Sequence, residues 1–149
     1  MYSSACSCVN VNGSLTEWFD IESGVKQRCV LSPILFSMFI NDLIVELRSS
    51  GCGIDIDGVI KIASLLYADD VVVLANSEKV LQQLLSIVNQ WCLKWGINVN
   101  STKTKAMHFR HKRRKLSCCQ LMLGSSVIEF CHEYKYLGYW INEFLDVNE

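Results

Sequence analysis

The fold of this chain is decided by residues 61–75, which read KIASLLYADDVVVLA. Ala68-Asp69-Asp70 interrupts two runs of apolar, β-forming residues, and this pattern predicts two antiparallel strands joined by a short turn. Adjacent carboxylates at the end of apolar strands repel each other and lose hydration unless a cation lies beside them. Two interpretations therefore stay open: a divalent-metal site at Asp69 and Asp70, or a solvated Asp-Asp turn with a structural role.

A helix is predicted on each side of this hairpin. In the first, Ser32 is the N-cap and Pro33 the first helical residue of an apolar stretch that ends before Gly51. In the second, Ser77 is the N-cap and Gly96 closes the helix. The apolar residues of the second helix share one face, at positions Val80, Leu81, Leu84, Leu85, Ile87, Val88, Trp91, Cys92 and Trp95.

The remaining strand signals complete the fold class. Asn12-Gly13, within the β-rich residues 9–19, predicts a tight hairpin. Further short strands are predicted at residues 97–99, 105–109, 120–123, 127–130 and 136–141. We expect an α+β fold in which helices pack on one face of an antiparallel sheet.

Length and composition limit the class of protein. The 149 residues suit a single domain over 1–149, and 50% hydrophobic against 19% charged residues excludes a disordered chain. No stretch approaches the roughly 18 apolar residues of a membrane helix. The start, MYSSACSCVN, lacks the features of a signal peptide, so we expect an intracellular, reducing location, nucleus or cytoplasm, with eight cysteine thiols. A mean hydropathy of +0.22 indicates either a thoroughly buried core or apolar faces that normally pack on something else. An exposed sheet edge and an uncovered apolar face would favour self-association, which we expect.

The positive charge is concentrated in one segment. Residues 101–115 contain seven Lys or Arg and no Asp or Glu, although the whole chain has a net charge of −1. Five of these seven residues lie between Arg110 and Lys115, where His111 is the only other residue. Such a run is compatible with nucleic-acid phosphate binding, with nuclear localisation, or with a solvated loop.

Five landmarks in order resemble the reverse transcriptases of non-LTR (LINE-like) retrotransposons. They are residues 24–36 (GVKQRCVLSPILF), 39–43 (FINDL), 67–70 (YADD), 96–105 (ending in Asn-x-x-Lys-Thr-Lys) and 136–138 (YLG). The resemblance extends from about residue 9 to the end of the chain. It implies the palm region of an RNA-directed DNA polymerase, which extends a DNA primer on an RNA template with Mg²⁺ or Mn²⁺.

The resemblance also implies roles for individual residues. Asp69 and Asp70 would bind the metal, and Lys103 would protonate the pyrophosphate leaving group, although Lys103 is equally explained as a solvated lysine. Tyr67, expected on the same face as Asp69, would lie under the primer end or simply pack within its strand. Further primer contacts would come from Tyr136, Leu137 and Gly138. Contacts to the nucleotide and template would come from Gln27, Arg28, Ser32 and Pro33. Contacts to nucleic-acid phosphates would come from Lys105, Arg110, Lys112, Arg113, Arg114 and Lys115.

The sequence departs from the family pattern at two points. Arg28 stands where the family has a glycine after Gln27, and an arginine side chain obstructs the close backbone approach that glycine permits. The family's upstream metal-binding aspartate and its fingers region have no counterpart here, so we expect a palm-like fold truncated at its N-terminus, which needs that missing half as a partner. We expect such a fragment to be inactive alone. The alternative is a decayed or co-opted, non-catalytic remnant with at most weak nucleic-acid binding.

Overall fold

The computed structural model describes residues 6–21, 24–25, 29–114 and 119–145, and the chain divides into two compact units, residues 1–40 and 41–149. In the first unit, strands β2 (Asn10–Val11) and β3 (Ser14–Leu15) form a hairpin, and β1 (Cys6–Ser7) pairs antiparallel with β4 (Phe19–Asp20). Asn12 and Gly13 form the turn with φ of 51° and 90°. The hairpin predicted at this dipeptide is confirmed.

Helix α1 (Ser32–Ser49) begins at Ser32, one residue before the start predicted at Pro33, and ends before Gly51 as predicted. The Ser32 N–H donates to the Cys29 carbonyl (3.1 Å), and Gly51, with φ of 66°, closes the helix by donating to the Arg48 carbonyl (3.2 Å). A positive φ is strained for residues with a side chain, which explains the glycine. The helix buries the side chains of Ile40, Leu43, Ile44 and Leu47, a spacing that places them in one stripe.

The described residues of the second unit include helix α2 (Glu78–Trp95) and nine short strands. The strands are β5 (Ile54–Ile56), β6 (Ile60–Ile62), β7 (Ser64–Tyr67), β8 (Asp70–Val73), β9 (Lys105–Ala106), β10 (Leu121–Leu123), β11 (Ser126–Phe130), β12 (Glu133–Tyr136) and β13 (Tyr139–Asn142). β5 pairs with β6, β7 with β8, and β12 with β13, all antiparallel, while β10, β11 and β9 form a three-stranded sheet in that order.

Helix α2 is confirmed with both of its predicted ends. The Ser77 hydroxyl accepts the Val80 N–H (3.4 Å), and Gly96 takes a left-handed φ of 66° while its N–H bonds to the Cys92 carbonyl. The Gln82 amide donates to the Met122 carbonyl (2.9 Å) and accepts the Met122 N–H (2.8 Å), which attaches α2 to β10. Helix α2 and strands β9, β10 and β11 together form a hydrophobic core that consists of Leu85, Ala106, Leu121, Leu123 and Ile128. Each fully buried leucine contributes about 1.5–3 kcal/mol.

The mixed α and β class is confirmed, and several details differ from expectation. Small separate sheets replace one sheet, and β9 pairs with β11 in parallel. The strand predicted at 97–99 is wrong, because the Ile97 N–H bonds to the Cys92 carbonyl (2.9 Å) and ends α2 instead. The strand predicted at 136–141 is a turn flanked by β12 and β13, and the β5–β6 hairpin was not predicted although Asp57-Gly58 is a turn signal.

Within the part of the chain that the structure describes, no helix combines the length and apolar character needed to cross a membrane.

Candidate metal centre and nucleic-acid interface

The two adjacent aspartates lie at the tip of the β7–β8 hairpin. The ladder pairs Ser64 with Val73 and ends with Tyr67 opposite Asp70, so Ala68 and Asp69 form the turn. Asp69 is therefore at the apex and Asp70 is the first residue of β8, and both are exposed. Ala68 adopts a φ of 51°. An alanine in this left-handed region costs about 1–2 kcal/mol, a type of strain that concentrates at functional sites.

The base of this hairpin is packed while its tip faces solvent. Ala63, directly before β7, is buried, and its carbonyl accepts the Leu74 N–H (2.8 Å). β8 contacts α2, and its residues 71–73 are half-buried. The hairpin therefore holds two carboxylates at a defined position in water-accessible space.

The two aspartates at the hairpin tip are the kind of ligands that a protein supplies to a Mg²⁺ site that also binds water and substrate. Mg²⁺ binds oxygen ligands and is commonly held by one or two carboxylates, with water and substrate phosphates completing its coordination. Asp69 and Asp70 supply two such carboxylates. Among the residues that the structure describes, no group of three or more His, Cys, Asp or Glu side chains is placed to hold a metal.

Tyr67 neighbours Asp70 rather than Asp69 across the ladder. Alternation along a strand would place Tyr67 and Asp69 on the same face, but the turn at Ala68 interrupts that alternation. Paired residues on antiparallel strands share a face, so Tyr67 and Asp70 lie together. The Tyr67 side chain is 61% exposed, which leaves its ring accessible beside a carboxylate.

Lys103 lies in a turn organised by Asn100. The Asn100 side-chain oxygen accepts the Thr102 hydroxyl (2.7 Å) and the Lys103 N–H (3.1 Å). The Lys103 carbonyl accepts the Tyr134 hydroxyl (3.3 Å), which links this turn to β12. The lysine itself is exposed.

The YLG element forms the turn of the β12–β13 hairpin. Leu137 and Gly138 take positive φ values of 50° and 93°, and Tyr136 pairs with Tyr139. The alternation of the ladder places Tyr134, Tyr136 and Tyr139 on one face. Tyr134 and Tyr139 were not among the predicted site residues, although the period-two spacing of Tyr134 and Tyr136 was visible in the sequence.

The predicted phosphate-binding residues separate into two groups. Lys105 pairs with Glu129, and Arg110 pairs with Glu143, so each is already bound to a carboxylate. The exposed residues are Lys112, whose ammonium lies 5.5 Å from the centre of the Phe144 ring, and Arg113 and Arg114. Lys115 lies outside the described residues.

The Arg110–Glu143 ion pair is largely buried. Arg110 Nε lies 3.2 Å from Glu143 Oε2, and Arg110 Nη2 lies 3.0 Å from Oε1. The side chains are 13% and 8% exposed. His132 Nδ1 is also 3.3 Å from Glu143 Oε1. A two-point arginine–carboxylate contact of this kind fixes geometry as well as adding energy.

The nucleotide and template residues predicted in the first unit are only partly described. Ser32 is buried at the start of α1 and Pro33 is exposed beside it. Gln27 and Arg28 lie outside the described residues.

The described cysteines carry reduced thiols, at positions 6, 8, 29, 52, 92, 119 and 131. Burial raises the pKa of the Cys92 thiol and that of the Cys131 thiol. Both are therefore poor nucleophiles at neutral pH.

Comparison with known proteins gives a consistent result. Residues 2–141 match the family model described as reverse transcriptase (RNA-dependent DNA polymerase). The chain is 34% identical over 124 residues to the "RNA-directed DNA polymerase from mobile element jockey" of Drosophila funebris, covering 79% of this chain and 13% of the relative. It is 32% identical over 136 residues to the protein of the same name from Drosophila melanogaster, covering 87% and 14%.

A relative of lower sequence identity also comes from a retrotransposable element. The chain is 26% identical over 136 residues to the "Retrovirus-related Pol polyprotein from type-1 retrotransposable element R1 2" of Nasonia vitripennis, covering 85% of this chain and 31% of the relative. The chain thus spans between 13% and 31% of the length of these three relatives.

Proposed function

The chain belongs to the reverse transcriptase (RNA-dependent DNA polymerase) family, and we propose that it forms the palm portion of a non-LTR retrotransposon polymerase that extends a DNA primer on an RNA template. The observation that carries this proposal is the position of Asp69 and Asp70 at the exposed tip of a hairpin whose base is packed against α2. This arrangement supplies fixed oxygen ligands where a nucleotide triphosphate could approach.

The chemistry proposed for the parent enzyme is nucleotidyl transfer. The primer 3′-hydroxyl gives its proton to water and attacks the α-phosphorus of the incoming nucleotide, a new P–O bond forms, and pyrophosphate leaves as the old P–O bond breaks. Mg²⁺ or Mn²⁺, when bound, would supply Lewis-acid stabilisation of the developing charge. Asp69 and Asp70 provide its ligands, and Lys103 donates a proton to the leaving pyrophosphate as a general acid.

The remaining predicted residues are proposed to position substrate. Tyr67, which shares a face with Asp70, supports the primer end, and the Tyr136-Leu137-Gly138 turn contacts the primer strand. In the first unit, Gln27, Arg28, Ser32 and Pro33 are proposed to support the nucleotide and the template base. Arg113 and Arg114, with Lys112, are proposed to contact nucleic-acid phosphates.

A second candidate is a non-catalytic remnant with at most weak nucleic-acid binding. Arg28 favours this candidate, because it replaces the glycine of the family pattern with a long side chain next to Gln27. On this proposal the metal ligands are retained while nucleotide positioning is lost.

Primer extension by the chain would exclude the remnant. The full chain and Arg28→Gly are incubated with a DNA primer annealed to an RNA template, deoxynucleotides and Mg²⁺. Extension by either protein that Asp69→Asn abolishes supports the polymerase. Asp57→Asn, which changes another exposed aspartate in a hairpin turn, is the matched control and should retain that extension. If neither protein extends the primer, the isolated chain is inactive, which is the result expected both of the remnant and of a palm portion that needs further parts of the polymerase.

Exposed apolar residues support the proposal of self-association. In the β5–β6 hairpin Ile56, Val59 and Ile60 are 44%, 85% and 59% exposed. An apolar two-stranded edge invites pairing with another strand. Size-exclusion chromatography at increasing protein concentration tests this, and a monomer at every concentration contradicts it.

A further inference from the structure

The basic turn, defined as residues 110–114, has a fixed backbone. The Arg114 N–H donates to the His111 carbonyl (2.8 Å), which closes the turn. The guanidinium of Arg110 folds back, and its Nη1 donates to the Arg114 carbonyl (2.6 Å). The first residue of the turn therefore holds the last one in place.

The same guanidinium attaches the basic turn to the end of β13. Its Nε and Nη2 atoms contact both carboxylate oxygens of Glu143, and the Arg110 N–H donates to the Glu143 carbonyl (2.9 Å). The Phe144 ring lies 5.0 Å from the guanidinium carbon. Arg110 is thus held by a carboxylate, an aromatic ring and a backbone carbonyl.

We propose that the basic turn is a preorganised binding site for the phosphates of a nucleic-acid strand, in which Arg113 and Arg114 contact phosphate while Arg110 and Glu143 are positioning residues. The inference rests on the proposed function for its choice of ligand. Because Glu143 neutralises Arg110 and occupies two of its donor atoms, Arg110 contributes little attraction to a phosphate. Its contribution is to hold the turn in the binding conformation, which lowers the ordering cost of association.

If Glu143 positions Arg110, substituting it should have the opposite effect on RNA affinity from the one expected if only its negative charge matters. Removing a negative charge next to a basic turn should strengthen RNA binding if only the net charge matters. Removing the carboxylate that holds Arg110 should weaken binding if the conformation of the turn matters. Glu143→Gln, which preserves the shape of the side chain, therefore distinguishes the two explanations by the sign of the change.

Two Arg→Lys substitutions within the turn form a second, charge-neutral test. A lysine cannot make the two-point contact with Glu143 and also reach the Arg114 carbonyl, so Arg110→Lys should weaken binding. Arg113→Lys keeps the charge and leaves the Arg110–Glu143 contact intact, so it should weaken binding less than Arg110→Lys does. Arg48→Lys, at an exposed arginine of α1 outside the turn, is the matched control and should change affinity by less than about twofold. If Arg110 instead bound phosphate directly, Arg110→Lys and Arg113→Lys would behave alike.

The experiment is fluorescence anisotropy of the full chain with a labelled single-stranded RNA of mixed sequence, about 20 nucleotides long, titrated at several salt concentrations. We expect Glu143→Gln and Arg110→Lys each to weaken binding by about three- to tenfold. The double variant Arg113→Gln/Arg114→Gln should reduce the slope of log affinity against log salt by about 1.4, because each phosphate contact to a single strand contributes about 0.7. Lys79→Gln/Lys94→Gln, which removes the same charge from α2, should leave this slope nearly unchanged.

Circular dichroism and thermal melting of every variant establish that it is folded. If the Glu143 and Arg110 variants do not fold, Phe144→Leu replaces them, because it removes only the ring beside the guanidinium, and it should weaken binding by about two- to threefold. The proposal is overturned if folded Glu143→Gln binds RNA as tightly as the unchanged chain or more tightly. It is also overturned if Phe144→Leu, used in place of those variants, binds like the unchanged chain, or if the unchanged chain binds no RNA at low salt. Metal binding at Asp69 and Asp70 does not involve this turn, so a failure of the basic-turn proposal and a failure of the proposed metal site are distinguishable.

Discussion

Arg110 and Glu143 are 33 residues apart in the sequence, and they form a two-point ion pair whose side chains are 13% and 8% exposed. The pair joins the start of the basic turn to the residue that follows β13. The Glu143 N–H also donates to the His132 carbonyl (2.9 Å), so the contact fixes three segments of the second unit. A residue predicted to bind phosphate is thus a structural residue.

Breaking this ion pair should destabilise the chain. Glu143→Ala leaves the Arg110 guanidinium largely buried without its carboxylate, and loss of one partner of a buried pair costs about 3–5 kcal/mol. Urea unfolding of the two proteins measures the difference. Replacing both residues, in Arg110→Met/Glu143→Leu, should cost clearly less than Glu143→Ala. A difference below about 1 kcal/mol for Glu143→Ala, the value typical of exposed pairs, would show that the contact is not buried in solution.

Ala68→Gly should stabilise the chain. Glycine adopts the φ of 51° at this position without the steric cost that alanine bears. The gain is partly offset by the larger conformational freedom of glycine in the unfolded chain, so we expect a net gain of about 0.5–1 kcal/mol. Thermal unfolding measures it, and Ala75→Gly, at a position without a positive φ, should destabilise the chain instead. Destabilisation by Ala68→Gly would contradict the left-handed turn.

The Lys105–Glu129 pair gives a prediction about pH. The hydrogen bond from Lys105 lowers the pKa of Glu129 below its ordinary value of 4.5. A carboxyl with a lowered pKa in the folded state adds stability above its unfolded pKa, and this contribution is lost as the pH falls through the lowered value. The advantage of the unchanged chain over Glu129→Gln should therefore be constant above about pH 5.5 and decrease in acid.

Urea unfolding at neutral and acidic pH in low salt measures this advantage. Because the Glu129 side chain is 75% exposed, high salt should reduce it. Lys105→Gln should remove the same acid-dependent contribution to the free energy of unfolding. An advantage that grows as the pH falls would contradict the assignment.

Local signals predicted the elements that local interactions determine. Helix α2 combines an N-cap at Ser77, one apolar face and a closing glycine at Gly96, and each of these depends on residues a few positions apart. The tip of the β7–β8 hairpin was likewise visible in the sequence, because two carboxylates interrupt two apolar runs.

Other features depend on contacts between distant residues or on unusual backbone angles. The β12–β13 turn uses Leu137 at a positive φ, which carries no polar turn signal, so the element looked like one strand. The parallel pairing of β9 with β11 joins residues 105–106 to 129–130 and has no local signature. The partner of Arg110 could not be found from the composition of the basic run, because a run of positive charge does not show which residue turns inward.

The most direct test of the central claim is Mn²⁺ binding followed by electron paramagnetic resonance, in which free Mn²⁺ gives the signal that binding removes. The account predicts that the full chain binds Mn²⁺, that Asp69→Asn and Asp70→Asn each weaken binding by about tenfold or more, and that Asp57→Asn leaves it within about twofold. Equal binding by the unchanged chain, Asp69→Asn and Asp70→Asn would contradict a metal site at the tip of the β7–β8 hairpin.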